Sequence, residues 1–151
     1  MARVLDTQQY LDTVCELLGQ GEQSVAVPVS GGSMVPFLIN GDTVYVDVPD
    51  SPVKRGDIVL YTRTNGRYIL HRVYRVRKDG SYIMVGDAQT ELELLPGRDR
   101  IHARVTMARH KGRLNHPGQL RWWAYRYLWL WLRPLRPALM HLHGILHRHK
   151  K

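Results

Sequence analysis

From Ser24 to Arg109 the chain breaks into short runs of alternating or β-branched residues, most of them bounded by glycine-bearing turns. That rhythm confines it to a small, mainly β architecture. "SVAVPVS" reads as a first strand, and Pro28 favours a sheet edge because proline brings no N–H to a ladder. "GDTVYVDV" sets Val44, Val46 and Val48 against Tyr45 and Asp47 and predicts a second strand. "VKRGDIVLYTR" turns at Gly56-Asp57 into a third, and "TNG" is a hairpin signal. "RYILHRVYRVRK" is a long fourth strand, which "DG" reverses into "SYIMVGD", the fifth. A last strand is expected in "RIHARVTMAR". Together they predict a small, coiled antiparallel sheet or a partly open barrel.

Two flanking segments differ. Leu5, Tyr10, Leu11, Val14, Leu17 and Leu18 recur at helical spacing before Gly19 and Gly21, so residues 1–22 predict an amphipathic helix packed on the body. From Gln119 the sequence "LRWWAYRYLWLWLRPLRPALMHLHG" is crowded with Trp, Tyr and Leu, with Arg at intervals. Up to Pro134 it predicts a helix of about four turns. The expected organisation is therefore a helix over 1–22, a β domain over 23–110 and a basic, aromatic-rich helical arm over 111–151.

Charge divides the chain the same way. The net charge of the 151 residues is +9, yet up to Glu93 there are 9 Lys/Arg against 12 Asp/Glu, and from Leu94 onward 13 against 1. A basic, aromatic arm suits an anionic membrane surface through residues 119–136, with Arg at headgroups and Trp and Tyr in the interface layer. Packing of the arm on the body or on a second subunit is the other reading. "YLWLWL" is too short to cross about 30 Å of hydrocarbon, and the N-terminus carries no apolar targeting core. The expected location is cytoplasmic or peripheral on a membrane. Nucleic acid is the weaker partner, since the arm holds more aromatic residues than phosphate contact requires. Cys15, the single cysteine, rules out an internal disulfide and sits in an apolar-periodic stretch as a small core residue.

Few residues are placed for chemistry. Ser33, in "GGSMVPFL", follows two glycines that permit close backbone approach and precedes a stiffening Pro36. It is either a turn serine or a nucleophile, and a nucleophile needs a base. His71 lies among aliphatic residues in the fourth strand, where alternation groups it with Ile69 and Val73 against Leu70, Arg72 and Tyr74. It is either a hydrogen-bonded core histidine or a base titrating near neutrality. Asp87, at the end of the fifth strand, is the best-placed acid to orient it, with Glu93 and Glu91 as alternatives. Asp42 and Asp57 read as turn caps. His141, His143, His147 and His149 do not have the spacing of an enclosed zinc site, and no phosphate-cradling glycine loop is present. No cofactor is expected.

In this order the residues resemble the serine peptidases of the signal peptidase I and LexA-like clan, from about Ser24 to Val105. "GGSMVPFLINGDTVYV" resembles the serine box, "VKRGDIVLY" the second conserved strand, "YILHRVYRV" the base box and "MVGDAQTE" the following Gly-Asp box. The resemblance implies the coiled β fold of that clan and a serine endopeptidase acting on a protein or peptide. Ser33 would be the nucleophile and His71 the base, as in the members that carry histidine before Arg-Val rather than lysine. The acid would be Asp87, with Glu93 near a later acidic position. Backbone N–H groups around Gly32 and Met34 would receive the oxyanion. The chain departs from the clan in lacking a membrane helix ahead of the serine box, and in reading Ala88-Gln89 where an asparagine-rich sequence is usual. These departures leave open a non-catalytic binding or regulatory module on the same fold, docked to a membrane or a partner protein.

Overall fold

A computed structural model describes residues 7–148. One antiparallel sheet of eight strands dominates it, coiled but not closed into a barrel, with helices at both ends of the chain. The strands are β1 (Val25–Pro28), β2 (Thr43–Asp47), β3 (Ile58–Thr62), β4 (Tyr68–Val76), β5 (Tyr82–Val85), β6 (Glu93–Leu95), β7 (Ile101–His110) and β8 (Arg113–Asn115). Their order is β1-β2-β7-β3-β4-β5-β6, with β8 folded back on β7. The expected mainly β fold is therefore present, with β1 at the edge that Pro28 requires. Register shifts in the β2–β7, β3–β7 and β4–β5 ladders mark bulges, which bend strands and increase twist.

The coil makes two apolar cores. One collects Val27, Val44, Val46, Ile58, Leu60, Ala103 and Val105 from the sheet with Met34, Phe37 and Leu38 from the loop after β1. The other collects Val59, Tyr61, Val73, Met84 and Leu95. β3 supplies both, which is why four consecutive residues of "IVLY" are buried where a one-sided strand would alternate.

Helix α1 (Thr7–Gly19) buries Leu11, Val14 and Leu18 in the first core, as their spacing predicts; Leu5 lies outside the described residues. Its polar groups pin it across the sheet: the Tyr10 hydroxyl donates to the Ala26 carbonyl at 2.7 Å, and the Tyr68 hydroxyl donates to Asp12 at 2.7 Å.

The C-terminal arm begins with α2 (Leu120–Trp123), runs through a π-helical stretch Ala124–Leu128 and one more turn, α3 (Trp129–Trp131), and tightens into a 3₁₀ turn at Arg133–Leu135. Pro134 sits in that turn, where its missing N–H costs little. Helix α4 (Arg136–Arg148) follows and carries His141 and His143; His149 lies outside the described residues. One face of the arm is in protein, with Trp122 and Leu130 buried. The other is open: Leu120, Trp123 and Trp131 are more than half exposed. No helix among the described residues is long and apolar enough to cross a membrane.

Candidate active site

Ser33 sits in the loop between β1 and β2, half-buried on the rim of an apolar cleft of about 300 Å³. Met34, Val27 and Val29 form one wall of the cleft, Leu60, Tyr68 and Leu70 another, and Tyr10 and Leu11 of α1 the end. Met34 thus lines the cleft, whereas Phe37 is in the core, under the guanidinium of Arg72 and against Trp122. Among the described residues, the N–H groups of Gly32 and Met34 are taken up by no hydrogen bond.

The serine loop is clamped to the end of β5. The Ala88 N–H donates to the Ser33 carbonyl at 2.9 Å. Gly86 allows that approach: a Cβ there would lie 2.6 Å from the Ser33 oxygen and 2.8 Å from Gln89 Oε1. The β4–β5 ladder ends at the Arg72–Val85 pair. Gly86 is the next residue out, level with His71 in register. The Ser33 carbonyl is therefore docked level with His71 along the sheet, while the cleft beside Ser33 is lined by Leu60 and Leu70, which alternate with the residues on the His71 face.

β4 sends His71 and Arg72 to opposite faces, as strand alternation demands. Arg72 has no solvent exposure. Its Nε and one terminal nitrogen donate to the two oxygens of Asp87 at 2.8 Å each, and the other nitrogen donates to the Gly56 carbonyl at 2.9 Å. Asp87 is equally buried. A planar guanidinium meeting a carboxylate by two bonds is the geometry in which a buried ion pair recovers its desolvation cost.

His71 is 4% exposed, and its ring approaches the other core. Nδ1 lies 3.4 Å from the Tyr61 hydroxyl, which donates to Glu93 Oε2 at 3.0 Å. Arg63 completes the cluster with bonds of 2.7 and 3.0 Å to the two Glu93 oxygens. Burial, chiefly, pulls the His71 ring down to about 4, with the Arg63 charge acting the same way and Glu93 and Asp87 opposing it. The ring is thus neutral at neutral pH and able to accept a proton. Burial would raise the Glu93 carboxyl, but hydrogen bonds from Arg63 and Tyr61 and the Arg63 charge hold it below the usual range. Burial and the Glu93 charge push the Tyr61 phenol well above its ordinary value, so it keeps its proton.

The sequence-derived residues thus fall into two groups, and among the described residues no hydrogen bond joins Ser33 to His71. Ser33 and Asp87 meet through the Gly86–Ala88 turn; His71 and Glu93 meet through Tyr61. The charge of Asp87 acts on His71, but its hydrogen bonds go to Arg72. Glu91 is exposed. Sequence reasoning missed Tyr61 and the burial of Arg72. The hairpin turn carried a usable signal: a ladder pairing Thr62 with Tyr68 places Val59 opposite His71 and Tyr61 diagonally beside it. No group of three or more ligand-type side chains capable of holding a metal occurs among the described residues.

Comparison with known proteins places the chain in a family. No solved structure matches the chain. Among curated proteins, the signal peptidase complex catalytic subunit sec11 of Dictyostelium discoideum is 33% identical over 70 residues, covering 44% of this chain and 38% of that relative's length. The model of the Peptidase S24-like family matches residues 2–105, a stretch that runs through the serine loop, the His71 strand and the Asp87 turn. The chain belongs to the Peptidase S24-like family.

Proposed function

We propose that the protein is a serine endopeptidase acting on an extended protein or peptide segment, with Ser33 as nucleophile and His71 as base. His71 Nε2 takes the proton from Ser33 Oγ as the oxygen attacks the scissile carbonyl. The resulting oxyanion is received by the N–H groups of Gly32 and Met34. The proton then passes from His71 to the leaving amine, and water, deprotonated in turn by His71, releases the acyl group. Asp87 supplies negative charge near the ring and, through Arg72, ties β4 to the serine loop.

The observation that carries this reading is the docking of the Ser33 carbonyl on the turn that leaves β5 level with His71. The cleft beside Ser33 suits an apolar side chain next to the scissile bond. Addition of substrate as a new strand on β1 is restricted there, since the Ala26 carbonyl is occupied by Tyr10 and Pro28 has no N–H to give. The aromatic face of the arm, over 119–136, is proposed to rest on an anionic membrane surface.

The test is cleavage of a peptide library by wild type and by Ser33→Ala. Loss of at least about a hundredfold in kcat/KM on removing the nucleophile is expected. Equal turnover by both refutes the assignment. A folded wild type that binds peptides without cutting them supports the binding-module alternative instead.

A further inference from the structure

Within the peptidase reading, on which this inference rests, we infer that Tyr61 is the positioning residue for the base: its phenol bridges His71 Nδ1 and Glu93 and fixes the ring in the tautomer that leaves Nε2 unprotonated. The Tyr61 hydroxyl faces two partners at once. A phenol has one proton to donate and lone pairs to accept. The carboxylate Oε2 of Glu93, at 3.0 Å, can only accept. The phenol proton therefore goes to Glu93, and the approach to Nδ1 at 3.4 Å is satisfied only if the ring nitrogen donates. The reverse orientation would set a phenol lone pair against a carboxylate lone pair in a buried site, and would leave His71 with its proton on Nε2. A ring in that state cannot take a proton from Ser33.

The surrounding charges fix the size of the effect. Glu93, Arg63 and Asp87 are the charged groups that act on the His71 ring. Arg63 holds Glu93 through both oxygens, so much of that negative charge is already answered when the imidazolium forms. Tyr61 therefore acts by orientation more than by balancing charge. β3 makes it suited to this: it is buried, diagonal to His71 on the paired strand, and its ring centroid lies 6.3 Å from the imidazole.

The experiment compares wild type, Tyr61→Phe and Glu93→Gln by two readouts. The first is the rate at which an alkyl fluorophosphonate labels Ser33. In that reaction the Ser33 oxygen bonds to phosphorus, fluoride leaves, and His71 takes the serine proton. The second is the ring ¹⁵N spectrum of the histidines, which reports the protonated nitrogen directly. Tyr61→Phe keeps the ring packing and removes only the bridge. It should slow labelling about 10- to 100-fold, the range for one hydrogen bond to a group that becomes charged, and move His71 away from the Nδ1–H signature. Glu93→Gln should slow labelling less and shift the acid limb of its pH profile downward, because a negative charge that favours protonated His71 is gone. Labelling of Tyr61→Phe at the wild-type rate, or a His71 ring spectrum unchanged in that variant, overturns the assignment. An unlabelled wild type sinks the peptidase reading itself, and any catalytic use of Tyr61 with it. A labelled wild type with an equally fast Tyr61→Phe sinks only the bridge.

Discussion

At the scale of residues, β4 places two polar side chains, one after the other, in two different interiors, and they meet burial in opposite ways. Arg72 stays charged because Asp87 matches it with two bonds. His71 has no directly bonded carboxylate among the described residues and gives up its charge instead, its pKa falling to about 4 chiefly through desolvation. That depression has a consequence for stability. An unfolded histidine titrates near 6.5. Between that value and about 4 the unfolded chain binds a proton that the folded ring refuses, so stability falls as pH falls through the window and is unaffected above it. The full depression corresponds to about 3 kcal/mol. Urea unfolding of wild type and His71→Asn across this range should show the wild type losing more stability on acidification, by about 2 kcal/mol at pH 5. Parallel loss in both proteins would mean that the ring is charged in the folded state. Ser33 and His71 stood out as candidates in the sequence because a small residue after two glycines and a lone histidine in an aliphatic strand are local anomalies. Tyr61 did not: an aromatic residue in a strand looks like core, and only the cross-strand register shows what its hydroxyl meets.

At the scale of elements, periodicity carried most of the fold. The six strands expected from the sequence and α1 each extend over four or more residues, long enough for a pattern to repeat. β6 and β8 span three residues each, too few to show alternation, and they exist because β5 and β7 offer them a ladder. The arm was legible as helical, but its role was not. Its aromatic crowding hid the fact that it serves the Gly86–Thr90 segment. The Trp129 indole N–H donates to the Asp87 carbonyl at 2.8 Å, Arg133 to that of Thr90 at 2.7 Å, and Arg136 to those of Gly86 and Gln89 at 3.0 and 2.8 Å. Arg136 is fully buried, with its guanidinium stacked on Trp129. Desolvation pulls it down to about 10 despite the charge of Asp87. Backbone carbonyls outside a sheet need such donors when water is excluded. The arm thus holds the segment that holds Ser33. Arg136→Gln should cost about 1–3 kcal/mol, the penalty for buried acceptors left unpaired. It should also raise hydrogen exchange at the Ala88 amide, whose acceptor is the Ser33 carbonyl. Unchanged exchange there would separate the arm from the serine loop.

At the scale of the whole molecule, the arm has a second face that the protein does not cover. Leu120 is 79% exposed, Trp131 73% and Trp123 53%, in a region where Lys and Arg outnumber Asp and Glu 13 to 1 from Leu94 onward. Exposed tryptophans gain little from water, and indoles beside arginines match the layer between lipid headgroups and hydrocarbon. The arm's inner face is already spent on the Gly86–Thr90 segment, so binding by the outer face need not disturb the fold. The full chain should float with vesicles containing phosphatidylglycerol, float less with phosphatidylcholine alone, and release as salt screens the headgroup charge. Trp123→Ser combined with Trp131→Ser removes aromatic surface that belongs to neither apolar core, so the variant should unfold at the wild-type urea concentration while losing flotation. Flotation of the double variant equal to that of wild type would exclude these side chains from the lipid contact. Loss of binding with salt but not with the double substitution would reduce the membrane reading to non-specific attraction by the basic arm.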